Sequence, residues 1–424
     1  MRIHVVQYGD TLWKIANQYQ VPINRLVEVN KLPSTNAIIP GLALYIPEAS
    51  PTIIRHYQLK AGDMLWRIAN QFQTTVQSIL RENPNVNPTQ LYIGQHISIP
   101  TSLKNQLQTL GFYVPYNVNE FLPKFRELAR NLTYLAVVSY SFTNEGYAYV
   151  LLDDTTIVSE SNRIGVVPLL MIRNVINDEF SAELVGGVLE DPQKRRNLVA
   201  SLLNFVRQRG YGGVSLDLEF IPPQRRGDFI SFLRELKIAL GSLLLHVNVH
   251  AKSEDLPTNR IVGGYDYRAI GQISDIVAVM TIDYGYPTGP PDPIAPIWWM
   301  NNVVRYATNL IDRRKLQIAF PLYGYDKRVI DNQTSARSVL GMQNLAISTS
   351  TTIQYDTNAE SPWFRYWRGA EEHVVWFEDI RSYSVKYGLV DFYQLLGVTY
   401  WQLGLDAPHN WAYVNDNIIV DKIR

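Results

Sequence analysis

The run Gly210-Tyr211-Gly212-Gly213-Val214-Ser215-Leu216-Asp217-Leu218-Glu219-Phe220 carries the strongest chemical signal in the chain. Polar and apolar residues alternate, so on a strand Ser215, Asp217 and Glu219 share one face while Val214, Leu216 and Leu218 share the other. Two carboxylates about 7 Å apart on an enclosed face repel each other and lose hydration, which raises the pKa of at least one. A carboxyl group that keeps its proton near neutral pH is what a general acid requires. The structural alternative is an ion pair in a barrel floor, but the neighbouring predicted strands place no basic residue on their interiors. His246, Asn248 and His250 also share a strand face; with no carboxylate at matching spacing they read as polar lining, and no metal or cofactor is expected.

A strand that buries carboxylates needs walls. Short apolar runs separated by helix-like segments predict strands at 111–114, 134–142, 166–172, 213–219, 243–250, 276–282, 317–322 and 397–401. Eight such units predict an α/β fold, a (β/α)8 TIM barrel with catalytic residues where strands end and loops begin. An open doubly wound sheet is the competing arrangement, although no Gly-rich phosphate loop follows an early strand. The stretch 326–377 is too long for a plain loop and contains strand-like runs, so it reads as a small α+β insertion walling the cleft. Trp298 and Trp299 either extend an aromatic stacking surface or split into one core and one exposed ring.

Ahead of the barrel lies a repeat. Gly9-Asp10-Thr11-Leu12-Trp13 recurs as Gly62-Asp63-Met64-Leu65-Trp66, and the same 53-residue offset maps Asn30 onto Asn83, Gly41 onto Gly94 and Pro47 onto Pro100. Each copy predicts a β-α-α-β unit, opening with a strand at 4–7 or 56–59, with its Gly-Asp turn either binding a ligand or simply capping the helix. The expected domains are 1–48, 54–101 and 105–424. Lys plus Arg and Asp plus Glu both number 39, which argues against nucleic acid or an anionic membrane as partner. With no cysteine, a disulfide framework, a thiol nucleophile and thiolate metal sites are excluded. No apolar run approaches the roughly 18 residues of a membrane span, and the opening turns polar too soon for a secretory signal.

The repeat resembles the LysM domain, a binder of N-acetylglucosamine polymers such as peptidoglycan and chitin. That resemblance implies glycan contacts from Gly9, Asp10, Thr11 and Leu12 with 39–42, and from Gly62, Asp63, Met64 and Leu65 with 93–95. Two weak sites in tandem would add avidity on a repetitive polymer.

The carboxylate strand resembles the D-x-x-D-x-D-x-E signature of glycoside hydrolase family 18, with Gly212 and Ser215 in place of the first two aspartates. The resemblance implies that Glu219 is the catalytic acid and that Asp217 orients the substrate's 2-acetamido group, which itself attacks the anomeric carbon. Met280-Thr281-Ile282-Asp283-Tyr284 is similar to the family's M-x-Y-D strand end, which places Asp283 near the acetamide and Met280 in the pocket wall. Ile282 stands where the family has Tyr, so Tyr284 or Tyr323 would have to supply that phenol. Trp401 matches the terminal Trp beneath the reacting sugar, and Tyr140 and Asn174 would be lesser cleft residues. Together with the paired LysM modules, the segments 283–291, 322–326 and 375–379 look like the spore cortex-lytic N-acetylglucosaminidases. That group implies cortex peptidoglycan as partner, action during germination, and a place at the coat and cortex boundary of the bacterial spore. A chitinase, or a glycan-binding lectin with decayed catalysis, are the alternatives on the same fold.

Overall fold

The computed structural model describes residues 2–48 and 52–423; the expected domain limits at positions 1 and 424 lie outside the described residues. In the front repeat, Arg2–Val5 pairs antiparallel with Ala43–Ile46 around helices Leu12–Tyr19 and Ile23–Asn30. Its second copy pairs Ile53–Gln58 with His96–Thr101 around helices Leu65–Gln71 and Val76–Glu82. Both opening strands start earlier than expected, because the ladder extends back to Arg2 and Ile53.

Gly9 and Gly62 sit at φ +86° and +84°, a conformation that only glycine adopts cheaply. Their aspartates do not cap the helices: Asp10 accepts from the Gln7 N–H at 2.7 Å and Asp63 from the Lys60 N–H at 2.7 Å, closing the turns. Thr11 is the cap of the first helix, accepting from the Lys14 N–H. Asn30 and Asn83 brace the two copies in the same way. Each bonds a helix carbonyl, Leu26 or Ile79, and both backbone groups of a strand residue, Tyr45 or Ser98.

Eight parallel strands then close on themselves. They run Asn105–Tyr113, Tyr134–Phe142, Val167–Arg173, Gly213–Asp217, Leu244–His250, Ile276–Met280, Leu316–Pro321 and Gly397–Trp401, and the eighth pairs back onto the first through Val398 and Thr109. This is the expected (β/α)8 barrel, and its closure removes the open-sheet alternative. Val214, Leu216 and Leu218 pack into the layer between strands and helices, leaving Ser215 and Asp217 to the interior. The fourth and sixth strands each stop two residues short of expectation. Phe220 and Asp283 lie at positive φ (55° and 58°), and such residues break a ladder. Between the seventh strand and the helix Ile380–Tyr393, a five-stranded antiparallel sheet with one helix, Val339–Ser348, forms the insertion; its strands run from Tyr323 to Trp376.

Asn30 is fully buried and also meets His409 Nε2 of the barrel at 2.9 Å. Replacing Asn30 with Ala strands several buried polar groups, so we expect about 2 kcal/mol or more of lost stability, read from the urea midpoint of the whole chain.

Candidate active site

Asp217 ends the fourth barrel strand, buried, and Glu219 follows just beyond it at the mouth. The side chain of Glu219 keeps 16% of its surface exposed. Asn174, at the end of the third strand, holds its backbone on both sides. The Glu219 N–H donates to Asn174 Oδ1 at 2.8 Å, and Asn174 Nδ2 donates to the Glu219 carbonyl at 2.9 Å. With those groups satisfied off the ladder, the chain turns away at Phe220, whose left-handed backbone is strained for an aromatic residue. Asn174 therefore fixes the backbone that carries the Glu219 carboxylate. Glu219 Oε2 lies 3.1 Å from Nε2 of His250, a residue that ends the fifth strand and packs between the rings of Phe220 and Tyr265.

Burial, and then the charge of Glu219, push Asp217 well above the usual carboxylate range. The proton-retaining member of the pair is thus Asp217. Opposing the rise is Arg173, which sits in register with Asp217 on the third strand. This corrects the expectation that no cation faces the pair: Arg173 falls one residue past the predicted strand, and only the parallel register brings it alongside. Ser215 does not bond Asp217. Its hydroxyl meets His246 Nδ1 at 2.9 Å and accepts from Asn248 Nδ2 at 3.3 Å. Burial drives His246 down to about 3, so it is neutral and belongs to this polar barrel lining.

Across the mouth, Asp283 follows the sixth strand, open to the cleft on one side. Tyr323 and Tyr325 both donate their phenols to its Oδ1, at 2.6 and 2.8 Å. Burial raises the Asp283 carboxyl while the two phenols lower it. The phenols are themselves raised, chiefly by burial, so they stay protonated donors. Met280 ends the sixth strand beside His250 in register. Trp401 ends the eighth strand, half-buried, 5.4 Å from the Phe112 ring and packed near Tyr323 and Tyr325. Tyr284 leans the other way, its ring 5.1 Å from Trp298 and 5.5 Å from Trp299. Of the two tyrosines expected to replace the missing phenol at Ile282, Tyr323 is the one on the carboxylate.

Tyr140 is not in the cleft. A β-bulge between Val138 and Tyr140 shifts the pairing, and with it the face to which the side chain points. Tyr140 turns to the helical layer, where it bonds Asp154 and packs against Phe205 and Tyr211. In the front modules, Gly9, Thr11, Gly62 and Met64 are exposed, whereas the side chains of Leu12 and Leu65 face their own module cores. Arg173, His250 and Tyr325 were missed by the sequence reading. His250 was legible only as one of three same-face polar residues, and Tyr325 only by its two-residue spacing from Tyr323. Among the described residues no cluster of His, Asp and Glu could hold a metal ion.

Comparison with known proteins identifies the two kinds of domain. The profile of glycosyl hydrolases family 18 matches residues 179–406, and the LysM domain profile matches 4–47 and 57–100. The chain is 33% identical to the cortical fragment-lytic enzyme of Bacillus subtilis over 432 residues, covering 100% of this chain and 99% of that one. It superposes on the spore cortex-lytic enzyme SleL of Bacillus cereus with a TM-score of 0.86 at 28% identity, covering 99% and 98% of the two chains. A chitinase from Chromobacterium violaceum matches 73% of this chain and 98% of its own, with a TM-score of 0.69 at 26% identity.

A carboxyl whose pKa is raised on folding makes the fold less stable as pH climbs above its unfolded value. Asp217→Asn removes that cost, so the variant should unfold at higher urea than wild type at pH 7. The gap should shrink as pH falls toward about 4 and vanish below about 3, where Asp217 is protonated folded or unfolded. Urea midpoints at both pH values check the sign.

Proposed function

The chain belongs to the glycosyl hydrolases of family 18, and on that premise we propose that it cleaves N-acetylglucosamine linkages in spore cortex peptidoglycan during germination, with retention of configuration. The observation that carries this reading is Asp217, driven to hold a proton beside Glu219, with Asp283 and its two phenols opposite. Asp217 passes the proton held by the pair to Glu219, and the Glu219 carboxyl gives it to the glycosidic oxygen as the bond from that oxygen to C1 breaks. The substrate's acetamide oxygen bonds to C1 in the same step, giving an oxazolinium ion. Having given that proton to Glu219, Asp217 faces the positive ion as a carboxylate that orients and stabilises it. Arg173 offsets part of the repulsion between the two carboxylates.

In the second half, the Glu219 carboxylate takes a proton from water, whose oxygen attacks C1 and restores the acetamide. His250 Nε2, 3.1 Å from Glu219 Oε2, faces that carboxylate. Asp283, ordered by Tyr323 and Tyr325, holds the acetamide from the other side, Met280 lines the pocket, and Trp401 lies under the sugar ring. Tyr325 thereby supplies a second donor where Ile282 offers none. We take the domains as 1–48, 54–101 and 105–424, the insertion, which begins at Tyr323 rather than 326, walling the cleft and the LysM part holding the enzyme on insoluble glycan. Similarity to spore cortex-lytic enzymes supports a place in the spore, and within it we take the boundary of coat and cortex.

Incubation with cortex fragments should release new reducing ends, and Glu219→Gln should lower that rate by about 10²–10⁴-fold with the fold intact. Equal rates for the two would remove Glu219 from the mechanism. No release by wild type would favour a lectin, and faster turnover of chitin oligomers than of cortex fragments would favour a chitinase.

A further inference from the structure

The two LysM modules share a fold and a 53-residue offset, yet the barrel treats them differently. The core of the first, including Leu12, Ile15, Leu26 and Leu44, is continuous with the hydrophobic core of the barrel. That of the second, including Leu65, Ile68, Ile79 and Ile99, is a cluster of its own.

The contrast is sharpest in the loop that forms one wall of each glycan groove. In the first module the Ile353 N–H donates to the Pro40 carbonyl at 3.0 Å, and Arg381 donates to the Gly41 carbonyl at 3.3 Å. The backbone of Gly41 lies so close to the insertion that a Cβ there would stand 1.8 Å from the Ile353 oxygen. Gln343 and His409 bond Asn30 just behind. In the second module the matching loop is bare. Tyr92 and Ile93 are 67% and 73% exposed, whereas Ile39, the counterpart of Tyr92, is 7% exposed. A Cβ on Gly94 would find its nearest neighbour, Gln58 Nε2, at 3.9 Å. Met64, on the facing loop, is half exposed.

We propose that the second module alone grips N-acetylglucosamine polymer, and that the first has become a structural part of the catalytic domain. The proposal rests on the LysM part of the functional reading and not on the chemistry at Glu219. It also places the grip. The second module is fixed to the far end of the helix Ile380–Tyr393, by Arg55 on Asp391 at 3.0 Å and His96 stacked on Phe392 at 4.1 Å. That helix returns the chain from the mouth of the barrel to the start of the eighth strand and is about 21 Å long. The glycan stretch held by the second module is therefore a different stretch from the one in the cleft. The enzyme is tethered to neighbouring polymer while it cuts.

Matched substitutions in the full chain test this. Met64 and Thr11 are equivalent first-helix cap positions, and Asp caps a helix well, so Met64→Asp and Thr11→Asp preserve the fold while placing a charge in each groove. Ile93→Asp, at an exposed site, is a second probe of the second module. Sedimentation with insoluble chitin, and separately with insoluble cortex peptidoglycan, reads binding without turnover. Met64→Asp and Ile93→Asp should each raise the half-saturating polymer concentration at least tenfold, and Thr11→Asp should change it less than twofold. An equal loss from Thr11→Asp, or no loss from either second-module variant, overturns the proposal, as does wild-type protein that binds neither polymer. Loss of catalysis at Glu219, read by reducing ends, leaves these results unaffected.

Discussion

Two carboxyl groups that repel each other in an enclosed barrel mouth are the constraint on which the rest of this structure depends. Neither burial nor proximity favours the charged pair, so one member keeps a proton, and Asp217, the more deeply buried, is that member. The arrangement costs stability and holds the groups that a glycosidase needs. Much of the surrounding architecture manages that cost.

Arg173 supplies partial charge compensation from the neighbouring strand without closing onto Glu219, whose near partner is the imidazole of His250. Asn174 fixes the Glu219 backbone through both of its polar groups, so the side chain is aimed by a buried amide rather than by the ladder. Below them Ser215 bonds His246 and Asn248 in a polar layer that lacks the second carboxylate of the family signature. Opposite, two phenols converge on one oxygen of Asp283, an order that does not depend on the residue at Ile282. The departures from the signature are thus met by neighbours drawn from other strands.

The front of the chain follows a related logic. Identical turn chemistry, with glycine at positive φ and an aspartate closing the turn, builds two copies of one module. What separates them is the surface each is pressed against, since the same loop is sealed by Ile353 and Arg381 in one copy and free in the other. A repeat in sequence need not remain a repeat in function once one copy shares its core with a larger domain.

The sequence by itself determined the eight strands, the LysM modules and the carboxylate alternation, because these rest on local periodicity and on turn residues with few substitutes. Two of the eight strands, Tyr134–Phe142 and Gly397–Trp401, were bounded as read, while the ends at Asp217 and Met280 depended on backbone turns that periodicity does not encode. Only the tertiary structure decided that Arg173 faces Asp217, that Tyr325 joins Tyr323, that a bulge turns Tyr140 outward and that one LysM loop packs against the insertion. Each of these is set by register between strands or by contact between distant segments, and the sequence of a single segment carries no record of what lies beside it.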